Sequence, residues 1–198
     1  MAKKGKTVLG WGKTYLDLAH RFVTEAAQEA DADEHEGQRS CAAIFLAAAA
    51  LETTAYELVF AFEDAGELPG KEAQSIRDSE PPPERYKQLA QLILRRRGEE
   101  VPSFGVVQFE KACMVWKCRK KLIHYIPVRA ALGRWPDELL PYHEKNWLPA
   151  LDSSHHWTSV LPTTAVAESI VESTERFLEW FHSVVAFPPL LASIHGYK

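Results

Sequence analysis

The chain is poor in the features that assign a protein quickly. Its longest run of small apolar residues, Cys41 to Leu51, is 11 residues, against the ~20 that span a bilayer, so the run reads as a core helix and no membrane partner is expected. The basic opening MAKKGK is followed by Gly10 and Gly12, which interrupt the short apolar patch behind it, and then by Asp17 and His20; no signal peptide is read there. Cysteine is scarce. Cys41, Cys113 and Cys118 show no C-x2-C spacing and no disulfide framework, which points to reduced thiols and a cytoplasmic location. Strong positive charge is also missing: the formal net charge of −4 over 198 residues excludes a general nucleic-acid coat while leaving room for a local basic site. No period-2 alternation, internal repeat or low-complexity segment is present, and that leaves helices.

What is there has helical spacing. Leu16, Ala19, Phe22, Val23 and Ala26 form one stripe of a helix over about 14–30. A second, long helix over about 38–62 carries Ile44, Leu51, Ala55, Leu58 and Phe62, and Ala47 to Ala50 make part of it apolar all round, the mark of a central helix. Its alanines also let helices approach closely, so it is a candidate packing or dimerisation surface. Glu52 lies beside its apolar stripe, where a carboxylate needs a partner or an interface. A short helical turn at about 71–77 precedes a third helix over about 82–97, which opens on prolines and ends at Arg95, Arg96 and Arg97 before Gly98. A last long helix over about 164–186 shows Val166, Ile170, Phe177, Phe181 and Val184 on one face. The whole reads as a single domain over residues 1–198, an all-α, up-and-down bundle of four to five long helices. A long irregular segment, 125–162, lies before the last helix, with a short helix expected near 136–145 and Trp135, Trp147 and Trp157 pinning it to the bundle. Residues 1–12 and 187–198 are expected to be flexible or peripheral, the tail either docked or frayed.

The stretch that carries chemistry is VVQFEKACMVWKCRKKLIHYIP, Val106 to Pro127. Apolar residues at Val106, Phe109, Cys113, Trp116 and Ile123 are close to helix-face spacing. The run turns basic at Lys117, Arg119, Lys120 and Lys121, reaches His124, and ends before Pro127, which disfavours helix in the preceding residue. A purely structural account exists: each cation in a last turn gains ~0.3–1 kcal/mol from the helix dipole. The functional account is that Arg119-x4-His124 combines an anion-binding fork with a proton-transfer group at a helix end. As a bare pattern it is weak, because 11 Arg and 8 His give roughly one such spacing by composition. A second one, Arg176 and His182, sits mid-helix among aromatics and reads as structural. Other clusters read as less than sites. Asp31, Asp33, Glu34, His35 and Glu36 lack fixed ligand spacing and form a connector. His143, His155 and His156 lack a matching fourth ligand.

The long helix RSCAAIFLAAAALETTAYELV (Arg39 to Val59) followed by a helix ending in CRKKLIHYIP resembles the HEPN superfamily, the higher eukaryotes and prokaryotes nucleotide-binding domains, over roughly Arg39 to Pro127. That resemblance implies an all-α bundle acting as a homodimer. It implies a metal-independent endoribonuclease, in the family often a toxin or defence effector with an antitoxin or other protein partner, that needs no cofactor. It assigns Arg119 and His124 as the catalytic pair and RNA as substrate; Lys120 stands where the family commonly has Asn. Lys120 and Lys121, at i−4 and i−3 from His124, would bind phosphate, and Glu52 would support the site from the neighbouring helix. Five residues along a helix turn about 140°, so Arg119 and His124 share a cleft only if the helix end tightens or two copies meet. The alternative is a non-catalytic HEPN-like module that binds RNA, a nucleotide or a protein; a metal-dependent hydrolase built on His143, His155 and His156 is a third reading.

Overall fold

The computed structural model describes residues 10–28, 36–79, 81–123 and 132–197. Within them the chain is an all-α helical bundle with no strand. Five long helices make it: α1 (Trp11–Gln28), α2 (Glu36–Asp64), α4 (Pro82–Arg97), α5 (Val107–Ile123) and α8 (Thr164–Val185). Four short ones fill the connections: α3 (Gly70–Arg77), α6 (Leu140–Glu144), α7 (Trp157–Val160) and α9 (Pro189–His195).

α2 is the axis of the bundle, in contact with α1, α4, α5 and α8. Ala43, Ala47, Ala48 and Ala50 are buried within the chain, so the alanine run serves close packing among its own helices. By length and mean hydropathy α2 alone among the described residues could cross a membrane, yet 61% of its most apolar window is buried inside the bundle. The closest approach is at Gly12 of α1, where a Cβ would lie 2.0 Å from Thr54 Oγ1. Only glycine fits there.

Between α4, α5 and α8 the core is aromatic. The Phe177 ring meets Tyr86 edge-on at 4.8 Å and lies within 6.2 Å of Phe109, Trp180 and Phe181. Tyr86 is buried but not left unsatisfied, since its hydroxyl donates to the Leu51 carbonyl at 2.8 Å. Helix ends are closed by distant residues. Glu36 accepts hydrogen bonds from Thr164 N and Oγ1 at the start of α8, a carboxylate where the dipole favours one. At its far end Arg97 donates to the Val185 carbonyl while holding Glu67 through two nitrogens.

Two local expectations need refinement. The buried residues of α5 are Ala112, Met114, Val115 and Cys118, while Phe109, Cys113 and Trp116 are half-buried and Ile123 is exposed. The packed face of α5 is thus centred on Met114, Val115 and Cys118, turned from the stripe that the larger side chains suggested. The C-terminal tail is docked: Leu191, Ala192 and His195 of α9 are buried. In the segment before α8, Trp135 and Trp157 are buried and Trp147 packs against the core, and Trp135 Nε1 donates to the Pro149 carbonyl.

Candidate functional site at the end of α5

The cations of α5 divide into two groups. Lys111, Lys117 and Lys121 face the segment that follows the helix. Lys117 Nζ lies 5.1 Å from the Tyr142 ring centre, and Lys111 lies 5.6 Å from that of Trp147. Lys121 donates to Glu138 at 2.6 Å, which holds that carboxyl below its ordinary range. Lys145 returns the contact, bonding Glu110 at 2.6 Å and covering Trp147. These cations fasten α6 to α5, each exposed ion pair contributing ~0.2–1 kcal/mol.

Arg119 and Lys120 form the second group. Lys120 is exposed. The Arg119 guanidinium lies over the Trp116 ring, 4.6 Å from its centre, one turn back along the same helix face. Among the described residues neither cation has a carboxylate partner. Seven other arginines, Arg21, Arg77, Arg85, Arg96, Arg97, Arg134 and Arg176, each hold a carboxylate, whereas Arg95, like Arg119, has none among the described residues. An arginine lying on an indole keeps its N–H edge free and pre-oriented, the arrangement that suits a phosphate or carboxylate ligand. The sequence reading placed Trp116 only in an apolar stripe; the signal for its role was the i, i+3 spacing to Arg119. His124 lies outside the described residues.

Glu52 pairs elsewhere. Half-buried on α2, it lies 3.7 Å from the Arg85 guanidinium of α4, which is itself 2% exposed and packs over the Tyr56 ring. Arg96 and Arg97 hold Glu72 and Glu67 and so belong to the scaffold. Arg176 pairs with Glu172 one turn away, and His182 Nδ1 accepts from Phe187 N at 3.0 Å while stacking on Tyr197. Of the connector residues, Asp31, Asp33, Glu34 and His35 lie outside the described residues. His143 Nδ1 is 3.2 Å from the Leu148 carbonyl, and His156 accepts from Thr158 N at the start of α7. Among the described residues no three His, Cys, Asp or Glu side chains gather as a metal ion requires.

A second polar cluster had no local sequence signal. His195 of α9 and Glu57 of α2, 138 positions apart, are both buried, with Nε2 and Oε2 3.8 Å apart. Glu57 Oε1 accepts from Gly12 N at 3.3 Å; Glu57 Oε2 and both His195 nitrogens make no hydrogen bond. Each buried group left so costs ~1–3 kcal/mol. Above them opens a cleft of about 190 Å³ between α1, α8 and the end of α9. Burial, reinforced by Glu179 and Glu175, pushes the Tyr197 phenol there well above its ordinary pKa.

No protein-family model matches the chain, and no curated protein or solved structure matches it either.

Proposed function

We propose that the protein is a metal-independent endoribonuclease of HEPN type that works as a homodimer, with Arg119 and His124 at the end of α5 as its reacting groups. Cleavage of RNA through its own 2′-hydroxyl needs a base for that proton, an acid for the departing 5′-oxygen, and cations for the charge that grows on phosphorus. Imidazole, with an unperturbed pKa of roughly 6.5, serves both proton transfers. The Arg119 fork meets the phosphoryl oxygens, and Lys120 adds a neighbouring positive charge. The single observation that carries this reading is the Arg119 guanidinium, set on Trp116 without a carboxylate partner among the described residues, five positions before a histidine. Because five positions along a regular helix turn about 140°, two copies meeting at their α5 ends would supply one composite cleft more readily than one copy does.

A second reading is a non-catalytic HEPN-like module that binds RNA or another polyanion. The Lys120 position favours it, since an ammonium there adds charge without the hydrogen-bonding amide common in the family. Incubation of the purified protein with mixed RNA in the presence of EDTA separates the two. Fragments from the wild type, and none from Arg119→Ala or His124→Ala, are expected of the nuclease. RNA left equally intact by all three overturns it; retained RNA, bound less tightly by Arg119→Ala, is the outcome of the binding module. A forced monomer is expected to be inactive.

A further inference from the structure

The cleft between α1, α8 and the end of α9 collects charge that the α5 site does not use. Asp17, Glu175 and Glu179 line it against a single ammonium, Lys13. Two of these carboxylates are engaged, Asp17 by Lys13 and Glu175 by His20 at 3.5 Å. Glu179 has no cationic partner among the described residues. Lining the cleft too is His195, 6% exposed, whose two ring nitrogens make no hydrogen bond and whose nearest carboxylate oxygen, on Glu57, is itself unsatisfied. An excess of carboxylate thus sits over a buried polar pair that lacks a hydrogen-bonding partner. Burial, with Glu179 and Glu175 adding to it, raises the pKa of the Tyr197 hydroxyl, which stays protonated beside the cleft. The cleft's ≈190 Å³ falls below the ~300 Å³ where drug-sized ligands begin. No metal-type cluster is present among the described residues.

We propose that this cleft binds a small organic cation, a primary ammonium or a guanidinium, through Glu179 and Glu175, with His195 receiving one of its remaining N–H groups. The inference is independent of the α5 site. Its test is calorimetric titration of the full chain with putrescine and with agmatine, using 1,4-butanediol as the uncharged control. Saturable binding of either cation, none of the diol, and affinity lowered about tenfold by Glu179→Gln are expected. Glu179 is exposed, so that variant keeps the fold. In parallel NMR titration the His195 ring resonances move with the same saturation curve while those of His143 do not. Absence of saturation at millimolar amine, equal affinity in Glu179→Gln, equal binding of the diol, or a His195 ring that stays still while heat saturates would each overturn the proposal.

Discussion

Replacing Trp116 by leucine tests how the α5 site is built. The indole lies 4.6 Å beneath the Arg119 guanidinium, and Trp116 is only half-buried, so the contact belongs to the exposed class of cation–π pairs, ~0.5–1 kcal/mol. Losing it frees the guanidinium to rotate without removing its charge. At RT ≈ 0.59 kcal/mol that is a loss of about two- to fivefold in RNA affinity. Arg119→Ala removes the charge itself. Because each phosphate neutralised on a single strand contributes ~0.7 to the slope of log affinity against log salt, Arg119→Ala lowers that slope by about 0.7, whereas Trp116→Leu leaves it unchanged. Fluorescence anisotropy with a labelled oligoribonucleotide at four salt concentrations measures both quantities. Circular dichroism of Trp116→Leu checks that α5 persists. If the two variants lose slope equally, or if Trp116→Leu costs nothing, then Trp116 does not act by holding Arg119 and the construction described above is wrong.

Three further outcomes follow from the fold. Phe177→Ala empties the centre of the aromatic cluster shared by Tyr86, Phe109, Trp180 and Phe181 and should destabilise the chain by ~3–5 kcal/mol, read as a lowered urea midpoint; a loss under about 1 kcal/mol would contradict this packing of α8. Burial pushes the Cys118 thiol up to about 12, and those of Cys41 and Cys113 up as well, so native protein at mild alkaline pH should be alkylated last at Cys118; mass spectrometry of a time course decides the order. Tyr86 and Tyr197 keep their protons in the fold above the ordinary value of 10.0, whereas the unfolded chain loses them near that pH. The folded state therefore binds more protons, and stability falls as pH rises above about 10. Urea midpoints on either side of that pH should show the fall, and Tyr86→Phe should flatten it.

Helix placement was legible because burial in this bundle follows large apolar side chains at 3.6-residue spacing. Tyr86, Leu89, Ile93 and Leu94 of α4, and Ile170, Phe177 and Phe181 of α8, are all buried where the pattern put them. Gly98 closes α4 with a φ of 72°, as a glycine after three arginines suggests. Where the pattern misled, the stripe was drawn on the wrong side of α5 or had no side chain to show it. Ala112, Met114, Val115 and Cys118 carry the packed face of α5, beside the expected stripe, and Gly12 seats α1 on α2 without a side chain. The docking of α9 was open because Leu191, Ala192 and His195 are buried against parts of the fold far off in sequence, which no local spacing announces.

The same distinction explains why the basic run at the end of α5 could not be apportioned from sequence. Four cations in five positions look like one patch. The partners of two of them, however, come from residues 17 to 25 positions further on, Glu138 for Lys121 and Tyr142 for Lys117, while Arg119 and Lys120 meet no carboxylate among the described residues. A lysine that fastens α6 spends its charge on the scaffold, and removing it loosens that segment. Arg119 is different in kind, since among the described residues it makes a ring contact with the indole one turn back and no ion pair. On the proposed reading, RNA is then recognised through Arg119 and Lys120 rather than through the whole run. Charge reversal at Lys117 or Lys121 should then lower stability with little change in the salt slope of RNA binding, and the reverse should hold at Arg119.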